Sequence, residues 1–216
     1  MQGLRGPRDG DLPSDMGTAM RAVLLSGGMD SIALTFWKRP EFAITIDYGQ
    51  KAAAAELAAS AQVSKELGIR HEILTIDCRS IGSGDMAGTE PLNAAPVPEW
   101  WPFRNQLLVT FASARGISLG VTEIMTGSVA SDGTHADGRP EFFLALDHLT
   151  SLQEGSIHVT APAVTMSTVE LVRASEVPRK VLAWSHSCHT GNLACGACRG
   201  CLKHYAVTKE LYGEAY

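Results

Sequence analysis

Apolar residues in this chain follow two rhythms. Short runs at residues 22–25, 42–46, 71–76, 123–126 and 157–160 have the length and branched-aliphatic content of strands. Between them, longer stretches carry apolar residues at helical spacing. A helix starting after Gly28 should stop near Pro40, and residues 51–67 are mostly Ala, Glu, Leu, Lys and Gln, with Gly68 placed to end that helix. Leu107, Leu108, Phe111, Ala112 and Leu119 give a helix over 105–119, and another follows over 141–153. Ser167-Thr168-Val169-Glu170 has the S-x-x-E form of a capping box at a helix start. Strand, helix, strand, helix with short joints predicts an α/β fold, a Rossmann-like parallel sheet with helices on both faces. Its crevice should lie at the carboxyl edge of the strands, where loops begin at Ser26, Asp47, Cys78 and Gly127.

Two stretches break the rhythm. Residues 80–102 and 128–139 are rich in Gly, Pro, Asn and Asp, show neither period, and read as long loops of the functional kind. Residues 1–20 have no apolar core and no signal-peptide segment, so they are expected to be a disordered leader or to precede a true start at Met20.

A length of 216 residues allows one well-buried domain with a small appendage. The apolar fraction of 45% and charged fraction of 19% are those of a globular protein, and no uninterrupted apolar run is long enough to span a bilayer. A formal charge of −5 argues against gripping a polyanion by counterion release. A small nucleotide-like substrate in the cytoplasm fits better than tRNA or a membrane.

The run Ser26-Gly27-Gly28-Met29-Asp30-Ser31 sits between the strand at 22–25 and the helix that follows. Glycines there let backbone approach an anion, and the free N–H groups of the next helix attract it. Neither a G-x-x-x-x-G-K-[ST] loop nor a G-x-G-x-x-G after a strand is present. Ser26 and Ser31 offer hydroxyl and backbone donors to a leaving pyrophosphate, while Asp30 is suited to holding the loop or a magnesium ion.

Cys188, Cys195, Cys198 and Cys201 form C-x6-C-x2-C-x2-C, leaving Cys78 as the only other cysteine. Four thiolates so spaced match a closed tetrahedral zinc site of structural type, while a redox thiol pair and an iron–sulfur cluster stay open as alternatives.

The phosphate loop, Asp47-Tyr48-Gly49-Gln50, Pro102-Phe103-Arg104-Asn105 and the four-cysteine knot occur in one order. Together they resemble the 7-cyano-7-deazaguanine synthase family of pyrophosphate-loop ATPases over residues 21–212. The resemblance implies an adenine nucleotide alpha hydrolase-like fold, with a nucleotide-binding domain at 21–180 and a helical, zinc-binding segment at 181–216. It implies ATP with Mg2+, adenylation of the carboxylate of 7-carboxy-7-deazaguanine, attack by ammonia, and a second activation that dehydrates the amide to the nitrile. It also implies a homodimer.

By the same resemblance Leu25, Ser26, Gly27, Gly28, Met29, Asp30 and Ser31 hold the ATP phosphates, together with Asp47, Gln50 and Lys51. Ser26, Asp30, Ser31 and Arg104 carry catalysis. Arg104, Asn105, Asp132, Asp137 and Arg139 face the substrate. Trp100 and Trp101 either stack on the flat deazapurine or pack beside Pro102.

Three places depart from the family pattern, four residues in all: Lys51-Ala52 stands for Arg-His, Ala130 for a glutamate and Thr168 for a lysine. The missing lysine removes a charge that would steady pyrophosphate unless Lys51, Arg139 or Lys180 takes its place. These departures open an alternative, a paralogue in an antiphage operon that transfers the activated carboxylate to a protein amine. A sulfur transferase and a nucleotide-sensing regulatory subunit are further alternatives.

Overall fold

The computed structural model describes residues 19–214, so all of the expected leader except residues 19 and 20 lies outside the described residues. Among the described residues, five parallel strands form one sheet in the order β3-β2-β1-β4-β5. These are β1 (Arg21–Leu24), β2 (Phe42–Asp47), β3 (Arg70–Thr75), β4 (Glu123–Met125) and β5 (His158–Thr160). The strand order reverses between β1 and β4, paired in the register Ala22 to Ile124 and Val23 to Met125. That reversal opens a crevice at the carboxyl edge.

The two-residue alternation of the strands divides the core. Val23, Ala43 and Met125 face α1 (Met29–Lys38), α2 (Ala53–Leu67), α6 (Thr168–Ser175) and α7 (Arg179–Leu182). Ala22, Phe42, Ile44 and Ile124 face the opposite side, where α4 (Arg104–Leu119) contributes Ala112. A third cluster joins Val109 of α4 to Phe143 and Leu146 of α5 (Pro140–Ser151) and Val159 of β5. Ile32, Leu34, Ile44 and Leu171 are fully buried, each stabilising the fold by about 2 kcal/mol. No helix is long and apolar enough to cross a membrane among the described residues.

The capping box forms as its sequence requires: Glu170 N–H donates to Ser167 Oγ at 3.2 Å and Ser167 N–H to Glu170 Oε2 at 2.7 Å. Other boundaries move by a residue or two, and the two expected loops are not featureless. The first contains α3 (Gly84–Ala87), closed by left-handed Gly88. The second folds as two short 3-10 turns, in which Asp132 Oδ2 accepts from Val129 N–H at 3.1 Å. Single turns are too short to imprint a period on the sequence. The last helix, α8 (Arg199–Tyr212), leaves the cysteine knot and packs on α6.

Candidate active site and metal centre

The glycine run forms the floor of a cavity of about 350 Å³ at the β1/β4 reversal. Leu25 is buried, its N–H donating to Ile44 O at 2.9 Å, and it leads β1 into the turn. Gly27 takes φ +79°, and a Cβ there would stand 2.9 Å from Glu56 O of α2. Gly28 caps α1 without a side-chain hydrogen bond, so Met29, Asp30 and Ser31 form a first turn with exposed dipole and donors. Ser26 Oγ lies 3.2 Å from Ser31 Oγ, and both residues line the cavity.

Asp30 meets a partner the sequence reading did not name. Lys203 Nζ, from α8, donates to Asp30 Oδ2 at 2.9 Å and stands 3.8 Å from Asp132 Oδ1. Asp30 Oδ1 is buried and has no hydrogen-bond partner. Burial pushes the Asp30 carboxyl above the ordinary carboxylate range, against the pull of Lys203. For Lys203 the same burial opposes the charge, and Asp30 and Asp132 prevail to hold the ammonium above its ordinary value.

On the opposite wall, Arg104 begins α4 directly after Phe103, which is held at φ +55°. Its Nη1 lies 3.0 Å from Met86 Sδ, and its charge acts on the buried Tyr48 hydroxyl, opposing the rise in pKa that burial imposes. Burial works against the Arg104 charge, but Tyr48, Asp137, Asp132 and Glu56 around it keep its pKa above the ordinary arginine value. Asn105 is fixed by Asp137: its backbone N–H donates to Asp137 Oδ2 at 3.2 Å and its Nδ2 to Asp137 O at 2.7 Å. Asp137 thus holds the start of α4, while Arg104, Asn105 and Asp132 form cavity wall.

The remaining expected ligands stand back from that wall. Asp47 Oδ1 accepts from Gly49 N–H at 3.0 Å. Gln50 is buried, its Oε1 accepting from Tyr48 N–H at 2.9 Å and its Nε2 donating to Glu56 Oε2 at 2.7 Å. Lys51 is exposed with its stem beside Gly88, and Arg139 is exposed with Nε donating to Gly133 O at 3.1 Å. Trp101 packs edge-on against Tyr48 with ring centroids 4.9 Å apart and is 2% exposed, which makes it a core residue.

Two further wall residues left no mark in the sequence. Glu56 sits in an alanine-rich stretch of α2 and looks like a solvent-facing helix former; desolvation at the cavity pushes its carboxyl up to about 7. Glu99, in the long loop, is buried and paired with Arg199 Nη1 at 2.8 Å.

The four expected thiols converge, with Sγ atoms of Cys188, Cys195, Cys198 and Cys201 all within 4.8 Å of one another. Tetrahedral metal–sulfur bonds of about 2.3 Å put sulfurs about 3.8 Å apart. Cys195 Sγ and Cys201 Sγ are 3.9 Å apart. Backbone N–H groups point at the sulfurs: His189 to Cys198 at 3.4 Å and Cys198 to Cys195 at 3.3 Å. A hydrogen bond from Thr190, with amides of Ala197 and Cys198, pulls the Cys195 thiol below its ordinary pKa. These donors stabilise thiolates, so the set fits a zinc ion. The knot is seated on the cavity, with His186 N–H donating to Gly27 O at 2.8 Å.

A sequence profile described as queuosine biosynthesis protein QueC matches residues 21–210. A 7-cyano-7-deazaguanine synthase of Desulforudis audaxviator is 34% identical over 203 residues, covering 83% of this chain and 91% of that protein. One from Acidobacterium capsulatum is 33% identical over 208 residues, covering 87% and 91%. A solved structure, the NMN synthetase of Francisella tularensis, aligns with TM-score 0.47 at 16% identity over 92% of this chain and 79% of that one.

Proposed function

The chain belongs to the queuosine biosynthesis protein QueC family, and from that membership we propose that it is an ATP-dependent, AMP-forming ligase acting on 7-carboxy-7-deazaguanine. The observation that carries this reading is the uncapped start of α1 in the glycine run, opening into a cavity whose far wall bears Arg104 and Asn105. A triphosphate tail suits one end and a carboxylate the other.

In this reading a carboxylate oxygen attacks the α-phosphorus of ATP and pyrophosphate leaves. Gly28 and the first-turn amides of α1 balance the charge that builds on the phosphates, and Asp30 or Asp132 would hold Mg2+, which would neutralise part of that charge. Arg104 orients the carboxylate. Ammonia then adds to the activated carbonyl, AMP leaves and a proton is lost, giving the amide. The amide oxygen attacks the α-phosphorus of a second ATP as pyrophosphate leaves, and loss of AMP together with both amide N–H protons gives the nitrile. The zinc knot is structural, the enzyme is cytoplasmic, and it works as a homodimer.

A second reading ends after one adenylation and hands the acyl group to a protein amine. Small residues at Ala52, Ala130 and Thr168, where the family carries His, Glu and Lys, favour it. Product mass spectrometry with ATP, ammonia and 7-carboxy-7-deazaguanine, alongside pyrophosphate release, separates them. Nitrile with two pyrophosphates per product supports the synthase; pyrophosphate without nitrile supports acyl transfer; ADP formation defeats both.

A further inference from the structure

The family's missing lysine has three stand-ins by sequence, yet Lys51, Arg139 and Lys180 are all exposed and none lines the cavity. Lys203 does. Its ammonium reaches the first turn of α1, the turn whose amides form the anion site, and it does so across 173 positions of sequence.

We propose that Lys203 is a phosphate-binding residue of the nucleotide site, carried there by the helix that leaves the cysteine knot. This inference rests on the reading of the cavity as an ATP site. Asp30 and Asp132 both face the region where a triphosphate tail would lie, and two carboxylates beside it would repel it. An ammonium between them cancels that repulsion. Of its three N–H donors, one is taken at 2.9 Å by Asp30, and the Asp132 oxygen at 3.8 Å is beyond hydrogen-bond range. Donor capacity therefore remains for a phosphate oxygen in the cavity.

The helix start that carries Lys203 is held from several directions. Cys198 caps α8 and Cys201 lies in its first turn, so two metal ligands flank the helix start. A Cβ at Gly200 would stand 2.8 Å from His189 Nε2, which seats that turn against the knot strand. Arg199 anchors one side through buried Glu99, and His186 N–H fastens the strand to Gly27 O. The His186 contact ties the knot to the phosphate loop, so a metal bound by the thiolates would orient Lys203 toward it.

The test compares metal-loaded wild type with Lys203→Met and Lys203→Arg of equal metal content, measuring binding of ATP, inorganic pyrophosphate and AMP. Lys203→Met should weaken ATP and pyrophosphate by about tenfold to a hundredfold, the worth of one charge-assisted hydrogen bond. AMP should change less than threefold, and arginine should restore part of the loss. If Lys203 serves only as counterion to Asp30, adding Asp30→Asn to Lys203→Met restores ATP affinity, and that result overturns the proposal. Affinities within twofold of wild type overturn it as well. Should the methionine variant lose its metal, acetylation footprinting of the wild type decides: pyrophosphate must shield Lys203 and AMP must not. If the wild type releases no pyrophosphate from ATP, the ligase reading fails, and inorganic pyrophosphate binding still judges Lys203 by itself.

Discussion

Gly127 lies flush against Ser31: a Cβ on Gly127 would stand 2.8 Å from Ser31 Cα and 3.0 Å from Ser31 N. The loop after β4 therefore touches the backbone of the α1 start, and the two walls of the crevice are in contact at its base.

Gly127→Ala must push that helix start away or fail to pack. A shift near 1 Å at a phosphate site costs about a hundredfold in rate. Steady-state pyrophosphate release should fall by about that factor, with a modest loss of stability. The thermal melt and the rate are measured on the same preparation.

Gly27→Ala combines a left-handed backbone with a Cβ 2.9 Å from Glu56 O. The strain is worth about 1–3 kcal/mol. Lower melting temperature and weaker ATP binding are expected together, since the same displacement opens the turn toward α2.

Arg104→Ala leaves Tyr48 and Asp137 without their cation and removes the charge expected to face the carboxylate. KM for the carboxylated substrate should rise by about tenfold to a hundredfold, the loss of one charged hydrogen bond, while KM for ATP changes little. A kinetic series in each substrate separates the two.

Glu56 carries a carboxyl raised to about 7 from an ordinary 4.5, chiefly by desolvation. The folded protein thus binds this proton more tightly than the unfolded chain. Stability from this group is fully present below about pH 4.5 and is lost as pH rises through about 7. Glu56→Gln, which keeps the shape without the charge, should be more stable than wild type well above pH 7, by about 3 kcal/mol. Denaturant titrations at pH 5 and pH 8 would show the difference growing with pH.

Stripping the knot with a chelator should expose residues 186–204 to hydrogen exchange and lower ATP affinity, with one zinc per chain measured beforehand. Structural zinc in small peptides contributes about 10 kcal/mol or more. That outweighs what the small cluster of Cys188, Cys198 and Cys201, with partly buried Tyr205 against it, supplies by packing.

The parallel sheet, the glycine run and the cysteine set were legible because each leaves a local mark. Strand runs differ from helical periods, Gly-Gly punctuates a strand–helix joint, and thiol spacing is a short-range geometric constraint. Ser167 and Glu170 announced their helix for the same reason. Lys203 and Glu56 left no such mark. Each reads as an ordinary polar residue of a helix, and only the packing of α8 and α2 around the glycine run turns it inward. Trp101 was ambiguous in sequence because aromatic rings serve cores and ligands alike; its contact with Tyr48 shows the core role.

The ion pair between Asp30 and Lys203 also has a consequence for biosynthesis. A ribosome must add 173 residues after the early turn before that turn can meet its late lysine. Until then the nascent polypeptide would hold the proposed nucleotide cradle without its cation, and in that reading ATP would be poorly retained by chains that have not reached Lys203.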